Sequence, residues 1–90
     1  MKKIVVTGGN GFIGSNLVNF LTKKKYFVIN IDKNKYSKGS YLLKNLNKKY
    51  YKFYELDINS KKIFHILKKY KPIAIFNLAA ETHVDRSIAV

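Results

Sequence analysis

A glycine-rich turn near the start of the chain constrains the fold more than any other feature. Residues 7–14 read TGGNGFIG, and their first residue, Thr7, ends a run of β-branched residues at positions 4–7. A strand that turns into a helix within a few residues needs backbone angles and close approaches that side chains would block, and Gly8, Gly9 and Gly11 lack a side chain. We therefore predict a strand, a tight turn and a helix in succession.

The turn and the helix after it suit a dinucleotide. Gly14, one turn into the helix, lets the helix lie close against the strand. The first N–H groups of such a helix have no partner within it, and with the helix dipole they favour a pyrophosphate. The spacing satisfies G-x-G-x-x-G from Gly9 and G-x-x-G-x-x-G from Gly8. The helix is expected to bury one apolar stripe, which consists of Ile13, Leu17, Phe20 and Leu21.

An acidic residue follows the second predicted strand, which spans residues 26–31. Asp32 lies 18 residues beyond Gly14. This is close to the spacing of about 20 residues at which a carboxylate accepts hydrogen bonds from the adenosine ribose of a dinucleotide. The alternative is a plain glycine-rich turn with an incidental aspartate.

The rest of the chain continues the alternation of strands and helices. The predicted elements are a short helix over 41–46, a strand over 51–56, a helix from a cap at Asn59 or Ser60 to about Tyr70, and a strand over 73–79. The longer of these helices is expected to bury the face formed by Ile63, Ile66, Leu67 and Tyr70. The last strand is nearly continuous in apolar residues, as expected for a central strand covered on both faces.

Right-handed crossovers would join these elements into a parallel sheet of order 3-2-1-4. We therefore predict an α/β fold, a partial Rossmann-type doubly wound sheet with the element order β-α-β-α-β-α-β. Since the sequence stops at Val90, just as a further helix should begin, we expect residues 1–90 to be the N-terminal part of an NAD-binding domain. The remainder of that domain and a substrate domain would follow.

Composition excludes several classes of protein. The chain has no cysteine, which rules out disulfides and thiolate metal sites, and its two histidines have no neighbouring ligand cluster. No apolar run approaches the roughly 20 residues of a membrane span, and the first residues do not resemble a signal peptide. We therefore expect a cytoplasmic globular protein without a metal or a membrane partner.

The net charge of +13 raises nucleic acid as a partner. The lysines are spread over predicted helices and loops, however, and there is a single arginine. We interpret them as solvated surface and expect no nucleic-acid partner; a basic module that binds nucleotides or nucleic acid without catalysis is the alternative. The five carboxylates lie on or just beyond the C-terminal half of a predicted strand, near the edge where an α/β sheet binds ligands; they are Asp32, Glu55, Asp57, Glu81 and Asp85.

A second motif follows the fourth predicted strand, where residues 77–88 read NLAAETHVDRSI. Small residues at a strand end, here Ala79 and Ala80, let a ribose and a nicotinamide approach the backbone. Polar groups come directly after, at Glu81, Thr82 and His83, where a substrate would meet the ring. The residues alone therefore predict part of a nicotinamide-dinucleotide domain.

These motifs resemble known enzymes along essentially the whole chain. Residues 7–17 resemble the signature of the extended short-chain dehydrogenase/reductases, within the NAD-dependent epimerase/dehydratase family, and residues 79–88 are similar to the corresponding stretch of the dTDP-glucose 4,6-dehydratase family. The segments 30–36 and 56–58 match the latter in order and spacing. The resemblance implies an NAD-dependent lyase that acts on dTDP-glucose and forms a homodimer at full length. A fragment of another nucleotide-sugar epimerase or dehydratase is the alternative.

The resemblance also implies roles for individual residues. Besides the glycines Gly8, Gly11 and Gly14, the implied cofactor contacts are Phe12 and Ile13 at the pyrophosphate, Asp32, Lys33, Asn34 and Lys35 at the adenosine ribose, Asp57 and Ile58 at the adenine, and Leu78, Ala79, Ala80, Glu81 and Thr82 along the cofactor, with Thr82 also touching the sugar. Asn34 and Lys35 depart from the leucine and threonine usual in the family. Lys33 and Lys35 would suit a 2′-phosphate, but Asp32 opposes that charge, so NAD is expected rather than NADP.

No catalytic residue is assigned. Short-chain dehydrogenases use a Tyr-x-x-x-Lys pair, and none of the seven tyrosines is followed by lysine four positions later. The family's Asp-Glu acid pair is also absent. We expect this polypeptide alone to be catalytically silent.

Several of these residues have a purely structural alternative. Asp57 could serve the dipole of the helix that follows it, and Glu81 could cap a helix. Asp85 and Arg86 could pair with each other. His83 could be a polar residue near a helix start, and His65 is expected at the surface.

Overall fold

A computed structural model describes residues 1–79 as a parallel sheet of four strands with helices on both faces. The strands are β1 (Lys3–Thr7), β2 (Phe27–Asp32), β3 (Tyr51–Glu55) and β4 (Ala74–Asn77). The helices are α1 (Phe12–Lys23) and α2 (Lys62–Tyr70), with a single 3₁₀ segment at Ser40–Leu43. Within residues 1–79, neither helix has the length and apolarity that a bilayer crossing requires. The expectations for Ala80 to Arg86 lie outside the described residues.

The strand order is β3-β2-β1-β4, and every pair is parallel, which confirms the predicted α/β fold. In the register of the sheet, Val5 lies beside Ile29 on one side and Ile75 on the other. Because parallel strands end at a common edge, Thr7, Asp32 and the loops after them are neighbours. The order changes direction between β1 and β4, which places a topological switch point at that edge.

The sheet is covered differently on its two faces, since successive side chains of a strand point in opposite directions. One core cluster joins α1 and the 3₁₀ segment to the sheet through Ile4, Val6, Val18, Leu21, Val28 and Leu43. The other joins α2 to the sheet through Val5, Ile29, Ile31 and Ile66, with Ile63, Leu67 and Tyr70 packed against it. The predicted buried face of α2 is therefore confirmed.

The predicted buried stripe of α1 is wrong in two of its four residues. Ile13 is 58% exposed and Phe20 is 56% exposed, whereas Leu21 is buried. The helix touches the turn at Gly14, where an added Cβ would collide with the carbonyl oxygen of Gly8. That close contact turns the face of Gly14, Val18 and Leu21 towards the sheet and leaves Phe20 outside.

The connections after β2 and β3 also differ from expectation. The helix predicted over 41–46 is only the 3₁₀ segment Ser40–Leu43, since Leu43 is its single buried residue and one anchor does not support a longer helix. The N-cap of α2 is Lys61 rather than either predicted residue, although Ser60 accepts a hydrogen bond from the Lys62 N–H at 3.1 Å. The Asn59 N–H instead closes a turn on the Asp57 carboxylate, at 2.8 Å.

β4 lies at the edge of the sheet formed by residues 1–79. Its apolar residues Ile75 and Phe76 are 51% and 40% exposed. The coverage on both faces that its sequence predicts is therefore not provided by residues 1–79.

The orientation of α1 predicts opposite outcomes for two neighbouring substitutions. Leu21→Ala removes a buried side chain from the core and should lower the free energy of unfolding by about 3 kcal/mol. Phe20→Ala removes an exposed ring and should change it by less than about 1 kcal/mol. Urea denaturation followed by circular dichroism measures both, and equal losses would contradict the described face.

Candidate functional site

A cleft of about 690 Å³ runs along the carboxyl edge of the sheet. The glycine turn, the start of α1 and the segments after β2, β3 and β4 all contribute to it. Its lining residues are Gly8, Gly11, Phe12, Ile13, Gly14, Ile31, Asp32, Lys33, Asn34, Ser37, Leu56, Asp57, Ile58, Asn59, Leu78 and Ala79. The cleft therefore occupies the switch point, where open α/β sheets bind their ligands.

Gly8 allows the chain to turn tightly out of β1. Its φ of +77° lies in the left-handed region, which side chains disfavour. An added Cβ would also lie 2.6 Å from the backbone nitrogen of Ala79. The Gly8 N–H donates to the Ile31 carbonyl at 2.8 Å, so the turn is fixed to β2.

The start of α1 offers hydrogen-bond donors to the cleft. Among residues 1–79, no acceptor is found for the backbone N–H groups of Phe12, Ile13 and Gly14, and the first satisfied one is that of Ser15, which donates to Gly11 at 2.9 Å. The first turn of the helix carries no acidic side chain. Unpaired N–H groups and the positive end of the helix dipole make this a site for an anion such as a pyrophosphate.

Neither the backbone angles nor the packing within residues 1–79 requires glycine at position 11. Its φ of −72° and ψ of 172° suit any residue. An added Cβ would meet one atom, the Gly8 carbonyl oxygen, at an ordinary 3.4 Å. By contrast, Gly14 is required by the packing of α1. The space beside Gly11 therefore belongs to the cleft and allows a ligand to approach the backbone.

The Asp32 carboxylate is held at the cleft by two backbone N–H groups. Asn10 donates to Oδ2 at 3.0 Å, and Asn34 donates to Oδ1 at 2.9 Å. An ionised carboxylate has about four acceptor positions, so each oxygen retains one for a ligand. The two oxygens can accept from two adjacent hydroxyls, such as those of a ribose.

A buried amide network beneath the turn was not predicted. Asn30, on β2, is fully buried. Its Oδ1 accepts from the Gly9 N–H at 2.9 Å, and its Nδ2 donates to Asn10 Oδ1 at 2.9 Å and to the Tyr51 hydroxyl at 3.0 Å. Burial raises the pKa of Tyr51, which keeps this hydroxyl neutral. Within residues 1–79 no buried side-chain nitrogen or oxygen lacks a partner.

A second unpredicted contact joins the ends of β1 and β4. The Thr7 hydroxyl donates to Asn77 Oδ1 at 2.6 Å and accepts from the Ala79 N–H at 3.4 Å. The Leu78 N–H donates to the Thr7 carbonyl at 2.9 Å. These bonds bring Leu78 and Ala79 alongside the glycine turn, at the far end of the cleft from Asp32.

Most of the predicted cofactor residues are thus brought together. Up to Ala79, all except Lys35 line the cleft. The Lys35 ammonium lies 5.7 Å from the centre of the Tyr36 ring. Ala80, Glu81 and Thr82 lie outside the described residues. The contacts of all these residues with a cofactor stay a prediction.

Sequence reasoning missed several residues of the site. Ile31, Ser37, Leu56 and Asn59 line the cleft, while Asn10, Asn30, Thr7 and Asn77 organise it. One signal was available, because Asn30 is a polar residue inside the apolar strand FVINID. His65 is exposed on α2, as expected. Residues 1–79 contain no group of three or more acidic, histidine or cysteine side chains that could hold a metal ion.

Comparisons with known proteins agree with this geometry. The chain is 45% identical to dTDP-glucose 4,6-dehydratase of Haemophilus influenzae, with 99% of the chain and 27% of that enzyme aligned. It is 46% identical to the Escherichia coli enzyme of the same name, over 96% of the chain and 25% of that enzyme. The chain thus spans about a quarter of the length of these relatives, and the predicted resemblance is confirmed.

Solved structures show the same fold. The dTDP-glucose 4,6-dehydratase of Bacillus anthracis, in complex with NAD, superposes with a TM-score of 0.79 at 35% identity, covering 91% of this chain and 28% of that one. The UDP-glucose 4-epimerase of Thermotoga maritima, with UDP-glucose, gives 0.69 at 37% identity, covering 86% and 24%. The family model described as GDP-mannose 4,6 dehydratase matches residues 5–90. Since that match includes nearly every residue, the chain belongs to the GDP-mannose 4,6 dehydratase family.

Proposed function

We propose that the chain is the NAD-binding part of an enzyme that converts dTDP-glucose into dTDP-4-keto-6-deoxyglucose and water. The observation that carries this proposal is that one cleft is lined both by the unpaired N–H groups at the start of α1 and by the Asp32 carboxylate. A pyrophosphate and a ribose are adjacent in NAD and need these two kinds of partner. The similarity to the NAD complex of the B. anthracis enzyme supports the same cofactor.

We infer one orientation for bound NAD from where these residues lie in the cleft. The pyrophosphate would lie on the N-terminus of α1 beside Gly11, and the adenosine ribose would lie on Asp32. The adenine would then reach the segment at Asp57 and Ile58, and the nicotinamide end would extend towards Ala79. Each of these residues lines the cleft.

NAD, when bound, would take up the hydride from carbon C4 as the C4 hydroxyl is oxidised to a ketone, and would return it to C6 after water is lost across C5 and C6. The chain's own share is to bind and orient. The N–H groups at the start of α1 would donate hydrogen bonds to the pyrophosphate, and the residues at the ends of β1 and β4 would form the edge of the cleft nearest the sugar. The chain contains no Tyr-x-x-x-Lys pair, so no proton transfer is assigned to it.

A second candidate function is epimerisation of a nucleotide sugar. The 37% identity to the T. maritima UDP-glucose 4-epimerase favours it. Thr82 as a sugar contact, homodimeric assembly, cytoplasmic location and the absence of nucleic-acid or membrane partners stay predictions from the sequence.

Substitution of the two glycines at the start of α1 should separate binding from folding. Gly11→Val fills space in the cleft, and we expect it to weaken NAD binding by at least about tenfold with little change in the free energy of unfolding. The reason is that the added side chain would keep the pyrophosphate from at least one of the N–H groups at the start of α1, so that one charge-assisted hydrogen bond is lost. Gly14→Ala should instead lower the free energy of unfolding by about 2 kcal/mol through its collision with Gly8. Calorimetric titration and urea denaturation measure these effects. Unchanged NAD affinity in Gly11→Val would count against the proposed pose.

Removal of the Asp32 carboxylate should weaken the adenosine-ribose contact. Asp32→Ala is expected to lower NAD affinity by about tenfold and to narrow the preference for NAD over NADP, because a charge that repels the 2′-phosphate is lost. Glu55→Ala is the matched control. Glu55 pairs with Asp32 in the sheet register, is exposed and does not line the cleft. Equal effects of the two variants would argue against a ribose role for Asp32.

The overall reaction is tested with the protein that carries this chain. Incubated with dTDP-glucose, it should form a product lighter by one water, detected by mass spectrometry, and Gly11→Val should slow this reaction. UDP-glucose serves as the alternative substrate. Formation of UDP-galactose without dehydration would favour the epimerase function instead.

A further inference from the structure

Asn10 joins the glycine turn to the loop after β2. It is only 3% exposed, and both its backbone and its side chain are engaged. Its backbone N–H donates to Asp32 Oδ2 at 3.0 Å, and its carbonyl oxygen accepts from the Gly39 N–H at 3.0 Å. Its side-chain Nδ2 donates to the carbonyl oxygens of Asn34, at 2.6 Å, and Lys35, at 3.1 Å. Its side-chain Oδ1 accepts from Asn30 Nδ2 at 2.9 Å.

The network permits one orientation of each amide. If the Asn10 amide were reversed, its oxygen would face the two carbonyl oxygens of Asn34 and Lys35. If the Asn30 amide were reversed, its NH₂ would face the Gly9 N–H, which now donates to its oxygen. Because Asn10 and Asn30 are almost inaccessible to water, either reversal would leave a buried amide group without its partner. The loop after β2 is therefore held in one position against the turn.

The Asp32 carboxylate depends on that loop position. One of its oxygens is held by the Asn10 N–H, and the other is held by the N–H of Asn34, whose carbonyl oxygen is in turn held by the Asn10 side chain. Loss of the side chain would release Asn34 and, with it, one of the two anchors of the carboxylate. The backbone anchor at Asn10 would remain.

We propose that Asn10 is a positioning residue for the adenosine ribose, and that by fixing the Asp32 carboxylate through Asn34 it sets the preference of the site for NAD over NADP. The proposal rests on the proposed function, since it concerns the same cofactor. A fixed carboxylate repels a 2′-phosphate, whereas a carboxylate that can turn away allows the phosphate to approach Lys33, which also lines the cleft.

The test compares dissociation constants for NAD and NADP in Asn10→Ala. Position 10 has no positive φ, so alanine fits its backbone. We expect NAD to bind about tenfold more weakly and NADP binding to be affected less, so that the dissociation constant for NADP divided by that for NAD becomes smaller. Asn19→Ala is the matched control, because the Asn19 amide joins α1 to the Leu42 carbonyl at 2.9 Å, away from the cleft. A general loss of stability would weaken the binding of NAD and of NADP equally and leave the ratio of their dissociation constants unchanged.

A double substitution tests the path through Asp32. In the Asp32→Ala background, Asn10→Ala should cause little further change in the ratio, since the group that it positions is gone. An undiminished effect in that background, or an unchanged ratio in Asn10→Ala alone, overturns the inference while NAD binding by the unaltered protein upholds the proposed function. Failure of the unaltered protein to bind NAD overturns both.

Amide hydrogen exchange of the unaltered protein gives a readout that needs no variant to fold. The N–H groups of Asn10, Asn34 and Gly39 each belong to the network. All three should gain protection together when NAD is added, although Gly39 does not line the cleft. Exchange at Gly39 that is unaffected by NAD would contradict a connection through Asn10.

Discussion

The close packing of α1 on the glycine turn is the contact on which the rest of the structure depends. Because Gly14 has no side chain, the helix starts directly above Gly8, and its first amides open into the cleft rather than onto another element. The same contact sets the rotation of α1 and so decides that Val18 and Leu21 enter the core. One steric condition therefore fixes both the core on this face of the sheet and the anion site.

Much of this arrangement could be predicted from the sequence, because it depends on local patterns. The alternation of apolar runs with turn residues gave the element order, and the preference for right-handed crossovers gave the strand order. Residues that follow strand ends, such as Asp32 and Asp57, could be placed at one edge without knowing any tertiary contact. The glycine spacing then located the anion site, because Gly8, with its positive φ, and Gly14, with its close contact to Gly8, both fit the turn that the spacing predicts.

The errors arise where tertiary contacts decide. Hydrophobic periodicity in α1 allowed several stripes, and the contact at Gly14, rather than the apolar content, selected the one without Phe20. The Asn10–Asn30 bond joins two residues 20 positions apart, and although Asn30 stands out as polar within its apolar strand, no pattern identifies Asn10 as its partner.

β2 shows how the fold combines stability with the organisation of the site. Ile29 and Ile31 face α2, while Val28 and, two residues later, Asn30 face the side of α1. An apolar residue at position 30 would bury more hydrophobic surface but would leave the Gly9 N–H unpaired, which costs about 1 to 3 kcal/mol for a buried donor. β2 therefore buries one fewer apolar side chain, and the Asn30 side chain holds the glycine turn in place through its hydrogen bond with the Gly9 N–H.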